Sequence, residues 1–117
     1  MYKINKDKPV VIKDSPPLGD NISFDLFLFT KDSKETILLP IKISSTCLKI
    51  MNISRQEVQR ILLKDINEYL ERNNWEVGDL TMKTRMICAG PSGIPENAIS
   101  IQSLDDFKNL KIEDILI

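Results

Sequence analysis

The side chains that could perform chemistry in this chain are few, and histidine is absent among its 117 residues. Without an imidazole group, the Ser-His-Asp and Cys-His arrangements of nucleophilic catalysis and His-ligated zinc sites are excluded. Cys47 and Cys88 stand too far apart for the Cys-x-x-Cys motif that redox and zinc sites normally show. We therefore expect two buried thiols, with one disulfide between them as the alternative.

The segment closest to a catalytic or anion-binding motif is the loop Gly90-Pro91-Ser92-Gly93. Its backbone N–H groups could face an anion, and Ser92 could act as a nucleophile. However, the spacing is not G-x-S-x-G, Pro91 has no N–H group, and no lysine follows as in a P-loop. We interpret this loop as a tight turn between two strands.

Acidic residues are concentrated near the C-terminus, where residues 91–117 carry five acids against two lysines. General acid–base catalysis needs two carboxyl groups that converge in a cleft, and a calcium loop needs alternating acids around a glycine. The acidic pairs here are adjacent in sequence and point in different directions, so no catalytic, metal or cofactor-binding residue is predicted. The alternative role is an acidic face for a basic partner, formed by Asp105, Asp106, Glu113 and Asp114.

Basic residues are concentrated in residues 31–60, with six bases against three acids. One interpretation is a helix-turn-helix in which residues 45–51 form the first helix and Arg55, Gln56 and Gln59 contact base edges. Against it, Glu57 and the later acids of the same helix would repel phosphate, and stacking aromatic residues are missing from this region. A nucleic-acid-associated regulator using the region around Arg55 is therefore the alternative function.

The length of 117 residues indicates that the strands and helices that position these side chains belong to one domain of ordinary size. The chain is 42% hydrophobic and 28% charged, with a net charge of −1, so it is globular in composition and does not have the excess of basic residues of a dedicated nucleic-acid binder. The double proline Pro16-Pro17 interrupts the first segment. We predict an N-terminal arm or edge strand over residues 1–20 and a single α+β domain over residues 21–117.

Two strands with apolar residues at every second position are predicted at residues 22–29 and 36–44, and a polar loop joins them as a hairpin. Pro40 within the second strand indicates a strand edge or a bulge. Phe27 and Phe29 make one end of the first strand apolar on both faces. Either another element packs over that end, or these two side chains form an exposed binding patch.

A long helix is predicted over residues 54–73, beginning with the capping box Ser54-Arg55-Gln56-Glu57. Apolar residues then recur every three or four positions, and Asn73-Asn74 provides a suitable helix end because asparagine tolerates the left-handed conformation. Trp75, the single tryptophan, is assigned either to the core or to an interface.

Further strands are predicted at residues 80–88 and 97–101, paired as neighbours through hairpin connections, and a short helix is predicted to begin after the cap Ser103. The last residues, Ile115-Leu116-Ile117, are expected to pack as a strand or as the end of that helix. The predicted fold class is α+β: a two-layer sandwich with a mostly antiparallel sheet, the long helix packed on it, and a short C-terminal helix.

By elimination, the predicted function is that of a non-catalytic protein-binding module, such as a small bacterial or phage inhibitor, immunity or adaptor protein that occludes a partner. An enzyme is not expected. The predicted contact residues are Phe27 and Phe29 together with the four C-terminal acids Asp105, Asp106, Glu113 and Asp114. The longest stretch without a charged residue, 86–95, is about half of the roughly 20 residues that span a bilayer, so no membrane association is predicted. The expected location is the cytoplasm, because no apolar run typical of a signal peptide follows the first lysines.

Overall fold

The alternating apolar pattern of the first half of the chain produces a sheet, and the three- and four-residue pattern of the middle produces its covering helix. The computed structural model describes residues 2–16, 21–32, 35–78, 87–89 and 98–115. The elements are β1 (Tyr2–Lys3), β2 (Val10–Asp14), β3 (Asn21–Phe29), β4 (Thr36–Ser44), α1 (Ser45–Met51), α2 (Arg55–Arg72), β5 (Glu76–Val77), β6 (Ile87–Ala89), β7 (Ile99–Ile101), α3 (Leu104–Asn109) and α4 (Ile112–Ile115).

The described residues form a five-stranded sheet with the order β2-β3-β4-β6-β7 and a separate two-stranded sheet of β1 and β5. The predicted hairpin is confirmed: β3 and β4 pair antiparallel along their whole length, from Asn21 opposite Ser44 to Phe29 opposite Thr36. Strand β2 adds an antiparallel edge to β3. Together with α2 and the C-terminal helices, this sheet confirms the α+β class with antiparallel pairing dominant.

The connection predicted between the last two strands is wrong. We expected a hairpin there, but β6 pairs parallel to β7, and β4 also pairs parallel to β6. Parallel neighbours need a crossover because the chain must return to the same end of the sheet before the next strand begins. Between β4 and β6 that return includes α1 and α2. The remainder of the strand predicted at residues 80–88, and the Gly90–Gly93 loop, lie outside the described residues.

The core lies between one face of the sheet and the helices. Alternate residues of β3 and β4 are fully buried, and α2 contributes one buried residue per turn from Val58 to Leu70. Complete burial of an aliphatic or phenyl side chain stabilises the fold by about 1.5–3 kcal/mol. The fully buried residues of the two strands are Phe24, Leu26, Leu28, Ile37, Leu39, Ile41 and Ile43.

The start of α2 shows the Ser54 half of the predicted capping box, whereas the Glu57 carboxylate bonds Arg60, and the end of the helix closes at the predicted asparagines. The Ser54 side chain accepts a hydrogen bond from the Glu57 backbone N–H at 3.2 Å, so the predicted N-cap is confirmed. At the other end, Asn74 adopts the left-handed conformation with φ 57°. Its N–H group donates to the Glu71 carbonyl, and the Trp75 N–H donates to the Leu70 carbonyl at 2.7 Å. This is the two-bond pattern of a Schellman motif, which closes a helix through a left-handed residue.

The remaining helices are α1, before the long helix, and α3 and α4 near the C-terminus. Helix α1 was expected only under the helix-turn-helix interpretation; it is present and packs on β4 and β6. Its buried Cys47 thiol donates to the Ile87 carbonyl at 3.6 Å, whereas the side chain of Cys88 lies outside the described residues. The predicted cap of the C-terminal helix is confirmed, since Ser103 Oγ accepts from the Asp106 N–H at 3.2 Å.

The first residues of the chain are joined to the rest of the molecule. Ile4 is only 2% exposed and forms an isolated bridge with Thr30, and its N–H donates to the Trp75 carbonyl at 2.8 Å. The domain boundary predicted at residue 20 lies outside the described residues, as do the last two residues of the chain. Ile115, just before them, is buried at the end of α4. None of the described helices has both the length and the apolar character needed to cross a membrane.

Candidate functional site

The face of the hairpin opposite the core carries an apolar row that crosses three strands. The register places Val11 of β2 opposite Phe27 of β3, and Phe27 opposite Leu38 of β4. Phe29 and Pro40 extend the row along the strands on the same face, because alternate residues of a strand share a face. We call these five residues (Val11, Phe27, Phe29, Leu38 and Pro40) the outer sheet patch.

The outer sheet patch is accessible to solvent. Leu38 is 45% exposed, and the other four side chains are partly buried. Val10 and Ile12, which alternate with Val11 on β2, instead pack against the core. Strand β2 therefore has apolar residues on both of its faces, although only one face contributes to the core.

Lysine side chains border the outer sheet patch. Lys13 Nζ lies 5.8 Å from the centre of the Phe27 ring, and Lys8 Nζ lies 5.5 Å from the centre of the Phe29 ring. At these distances a cation is attracted to the negative face of an aromatic ring by about 0.5–1 kcal/mol at an exposed site. Lys42 is exposed on the same face of β4, whereas Asp25 is the one acid of β3 there. The border of the patch therefore has positive net charge.

The four C-terminal acids are all exposed, but three of them already have partners within the chain. Asp106 Oδ2 accepts from the Gln102 N–H at 2.9 Å, and the Asp106 N–H donates to Ser103 Oγ, so Asp106 bonds the chain on both sides of the helix start. Asp114 Oδ2 accepts from the Lys111 N–H at 3.0 Å, at the beginning of α4.

The other two acids of this segment differ from each other. Glu113 forms an ion pair with Arg72 of α2, which joins α4 to the long helix. No hydrogen bond or ion pair joins Asp105 to another described residue. Because α4 packs on α2, these acids lie in the helical layer, whereas Phe27 and Phe29 face outward from the sheet. The six predicted contact residues therefore form two separate surfaces.

A groove between α2 and the C-terminal helices contains the carboxyl group of Asp65. Burial raises the pKa of Asp65 to about 6, and Glu113 and Glu68 add to the rise, while Lys111 and Arg72 oppose it. The groove has a volume of about 310 Å³. Its charged lining residues are Arg60, Lys64, Asp65, Glu68, Lys108 and Lys111.

From the sequence, the acids of α2 that follow Glu57 were expected only as charges that would repel phosphate, so this environment of Asp65 was not predicted. A signal was present, because Asp65 follows Ile61 by four positions and therefore lies beside the apolar stripe. What the sequence could not provide was the identity of the neighbouring segment. Lys108 and Lys111 reach the groove only because α3 and α4 fold back on α2.

The basic region around Arg55 is less available than its sequence suggests. Arg55 and Gln56 are exposed at the first turn of α2. Gln59, however, donates from Nε2 to Asp14 Oδ1 of β2 at 2.8 Å. Arg60 forms an ion pair with Glu57 one turn earlier, and Glu57 has its pKa lowered mainly by the hydrogen bond from Arg60. Of the three residues proposed to contact bases, Arg55 and Gln56 are therefore exposed, whereas Gln59 is bonded to Asp14 of β2.

Fold and surface together define a small α+β domain whose sheet has one face in the core and an apolar, lysine-bordered patch on the other. Across the described ranges, no group of three or more acidic or cysteine side chains is placed to hold a metal ion. Comparisons with protein-family models, with curated proteins and with solved structures give no match. Function is therefore inferred from the geometry of the chain itself.

Proposed function

We propose that this protein is a non-catalytic protein-binding module that occludes a partner protein through the outer sheet patch. The observation that carries the proposal is the row Val11, Phe27 and Leu38, which crosses three strands on the solvent side of the sheet. Contiguous exposed apolar surface bordered by polar residues is typical of interaction sites. Aromatic side chains also contribute disproportionately to binding energy at the centre of interfaces.

The charge around the patch indicates the chemistry of the partner. Lys8, Lys13 and Lys42 border it, against Asp25 alone on β3. A complementary surface has an apolar centre and an acidic rim, and opposite charges accelerate the encounter. A small bacterial or phage inhibitor, immunity or adaptor protein would act in this way. We keep the cytoplasm as the expected location.

The C-terminal acids provide a second, weaker contact surface in this proposal. Asp105 is the one acid of the four that has no bond to another described residue, while Asp106, Glu113 and Asp114 are exposed but already bonded within the chain. Since these residues lie in the helical layer, one flat partner surface would not cover both regions. We therefore assign the principal contact to the outer sheet patch.

A pair of matched substitutions tests the proposal. Among the described residues, Leu38 and Ile50 are the two most exposed large apolar residues, at 45% and 41%, and only Leu38 belongs to the outer sheet patch. We expect Leu38→Glu to weaken capture of a stoichiometric partner from nuclease-treated lysate of the native host by at least about thirtyfold, the effect of losing a central interface contact. Ile50→Glu should leave capture unchanged.

The purified partner then distinguishes a specific contact from general adhesion. Titration of that partner against the two variants, measured by calorimetry, should reproduce the difference between Leu38→Glu and Ile50→Glu. Equal loss in both variants, or no loss in either, would contradict the outer sheet patch as the binding surface. Charge reversal at Asp105 should have a smaller effect than Leu38→Glu.

The alternative function, a nucleic-acid-associated regulator, is favoured by one observation. Helix α1 ends at Met51 and α2 begins at Arg55, so two helices are joined by a three-residue link as the helix-turn-helix interpretation requires. Binding to phosphates falls steeply with salt, so affinity for duplex DNA at two salt concentrations is the discriminating measurement. Salt-sensitive binding that is lost in Arg55→Gln would support this alternative.

A further inference from the structure

A second groove lies where the N-terminal strand meets the end of α2, and none of its lining residues belongs to the outer sheet patch. Its volume is about 580 Å³. Three segments far apart in sequence form it: residues 3–7, the residue Lys31 that follows β3, and residues 74–76. The groove exists because β1 pairs with β5 and brings the first residues against the helix end.

Trp75 lines this groove in an unusual backbone conformation. Its φ is 61°, a left-handed value that is rare for a bulky residue, and it directly follows the left-handed Asn74. Hydrogen bonds fix it from both sides, because its N–H donates to the Leu70 carbonyl at 2.7 Å and its carbonyl accepts from the Ile4 N–H at 2.8 Å. Strained conformations of this kind persist where the surroundings over-determine them, and they occur often at ligand sites.

The indole side chain is only partly buried and contributes to the wall of the groove. The ring is therefore divided between two roles, since one part packs against the core and another part remains accessible. The two assignments considered for the single tryptophan, core and contact surface, both apply to it. An accessible indole provides a flat apolar face on which another aromatic ring can stack.

Three lysines surround the same groove. Lys3, Lys6 and Lys31 are all exposed, and no ion pair joins them to carboxylates of the described residues. Asp7 and Glu76 also line the groove, so its charged side chains have a positive excess of one. Lys3 and Lys6 come from the first segment of the groove and Lys31 from the second. Ammonium groups grouped in this way are suited to a phosphate, which lysine binds as a point charge.

We propose that this groove binds a nucleotide, with the base stacked on Trp75 and the phosphate held by Lys6 and Lys31. Stacking on an aromatic residue beside a cationic surface is how proteins hold bases without reading their sequence. The amides of Asn5 and Asn74, which line the same groove, offer hydrogen-bond donors and acceptors to the base edge or the ribose. The ligand is either a free mononucleotide or one residue of a single strand.

The single tryptophan makes the test direct, because the chain has no other indole fluorescence. The intact protein is titrated with adenosine 5′-monophosphate, uridine 5′-monophosphate and a short single-stranded oligodeoxynucleotide. We expect saturable quenching of the Trp75 fluorescence by the monophosphates. Ribose 5-phosphate, which has no base, should not quench, and adenosine, which has no phosphate, should bind more weakly.

Matched substitutions locate the phosphate. The double variant Lys6→Gln with Lys31→Gln should weaken binding about tenfold or more, while Lys49→Gln, an exposed lysine on α1, should leave it unchanged. Calorimetry should show a loss of about tenfold for Trp75→Leu and a smaller loss for Trp75→Phe, which keeps an aromatic face. Circular dichroism compares the folding of both tryptophan variants with the parent protein.

Several results would overturn this assignment. Absence of saturable binding by every nucleotide and by the strand, in both fluorescence and calorimetry, excludes a nucleotide. Equal affinity in the parent and in the double lysine variant excludes this groove as the site. Tighter binding of the strand than of the monophosphates, with the same dependence on Trp75, identifies nucleic acid as the source of the nucleotide. These results do not depend on Leu38, so they separate this site from the outer sheet patch.

Discussion

Phe27 and Phe29 of the outer sheet patch and the four C-terminal acids were predicted as contact residues, yet the structure uses the two regions in different ways. On the patch, Phe27 and Leu38 lie on the side of the sheet away from the core, and Lys13 lies over the Phe27 ring. In the C-terminal segment, Asp106 and Asp114 cap short helices and Glu113 binds Arg72. One region leaves apolar side chains partly exposed to solvent, and the other uses most of its charged groups for bonds within the chain.

The difference follows from what each kind of side chain can do within the chain. A carboxylate near a helix start finds backbone N–H groups within one turn, so it acquires an internal role at little conformational cost. An apolar side chain on the solvent face of a two-layer domain has no third layer to pack against. Exposed apolar rows are therefore the stronger indication of a partner, and acidic clusters at helix starts are the weaker one.

The largest expected effect separates the two faces of β3. Phe24 is fully buried on the core side, and Phe27 lies on the outer side of the same strand. Phe24→Ala should lower the free energy of unfolding by about 3–5 kcal/mol, whereas Phe27→Ala should lower it by about 1 kcal/mol. Urea unfolding followed by circular dichroism measures both. Equal losses would mean that the outer sheet patch is structural and would remove the main support for the proposed interface.

A pH-dependent effect is expected next, in the groove beside the C-terminal segment. Burial raises the pKa of Asp65 to about 6, above its ordinary value near 3.8 in the unfolded chain. The folded protein therefore binds more protons than the unfolded chain between these two values, and its stability rises as the pH falls through 6.

Asp65→Asn should remove that dependence. Because the carboxylate is only partly buried, the variant should be more stable than the parent by about 1–2 kcal/mol above pH 6, and this gain should vanish near pH 4. Thermal unfolding across that range measures the difference. A constant difference at every pH would show that the substitution acts through packing instead of through the charge.

A smaller effect distinguishes two adjacent acids of α3. The Asp106 side chain accepts from the Gln102 N–H at the start of α3, while Asp105 has no bond to another described residue. Asp106→Ala should cost about 1 kcal/mol, the usual effect of losing a capping interaction, and Asp105→Ala should change stability by less than about 0.5 kcal/mol. Chemical unfolding of the two variants provides the comparison. A larger loss of stability in Asp105→Ala than in Asp106→Ala would mean that Asp105, and not Asp106, stabilises the start of α3.

The smallest expected effect concerns the ion pair between Glu113 and Arg72. Both side chains are exposed, so solvent and salt screen their attraction, and the pair contributes little to stability. Glu113→Gln should produce a slight loss that disappears at high salt concentration. Melting temperatures at low and high salt measure it. A loss that persisted at high salt would indicate that Glu113 contributes through packing of α4 on α2.

The predictions were confirmed where the sequence pattern depends only on residues close together in the chain. The hairpin of β3 and β4 and the helix α2 were predicted from periodicity, and the caps at Ser54 and Ser103 formed as expected. The sequence signal for helix α1 was weaker because this helix has only seven residues and no side-chain cap. The parallel pairing of β6 was missed because three-residue strands carry little pattern, and their direction depends on segments far away in the chain.

The sequence by itself excluded catalysis that depends on histidine. It also determined which residues of the hairpin and of the long helix face the core, and where those elements begin. Only the tertiary structure decided which exposed groups share a surface. It placed Val11 beside Phe27, separated both from Asp105, and brought Lys6, Lys31 and Trp75 to one groove. The physical reason is that periodicity and capping act within one or two turns of chain, whereas a binding surface is formed by residues whose neighbours are set by long-range packing.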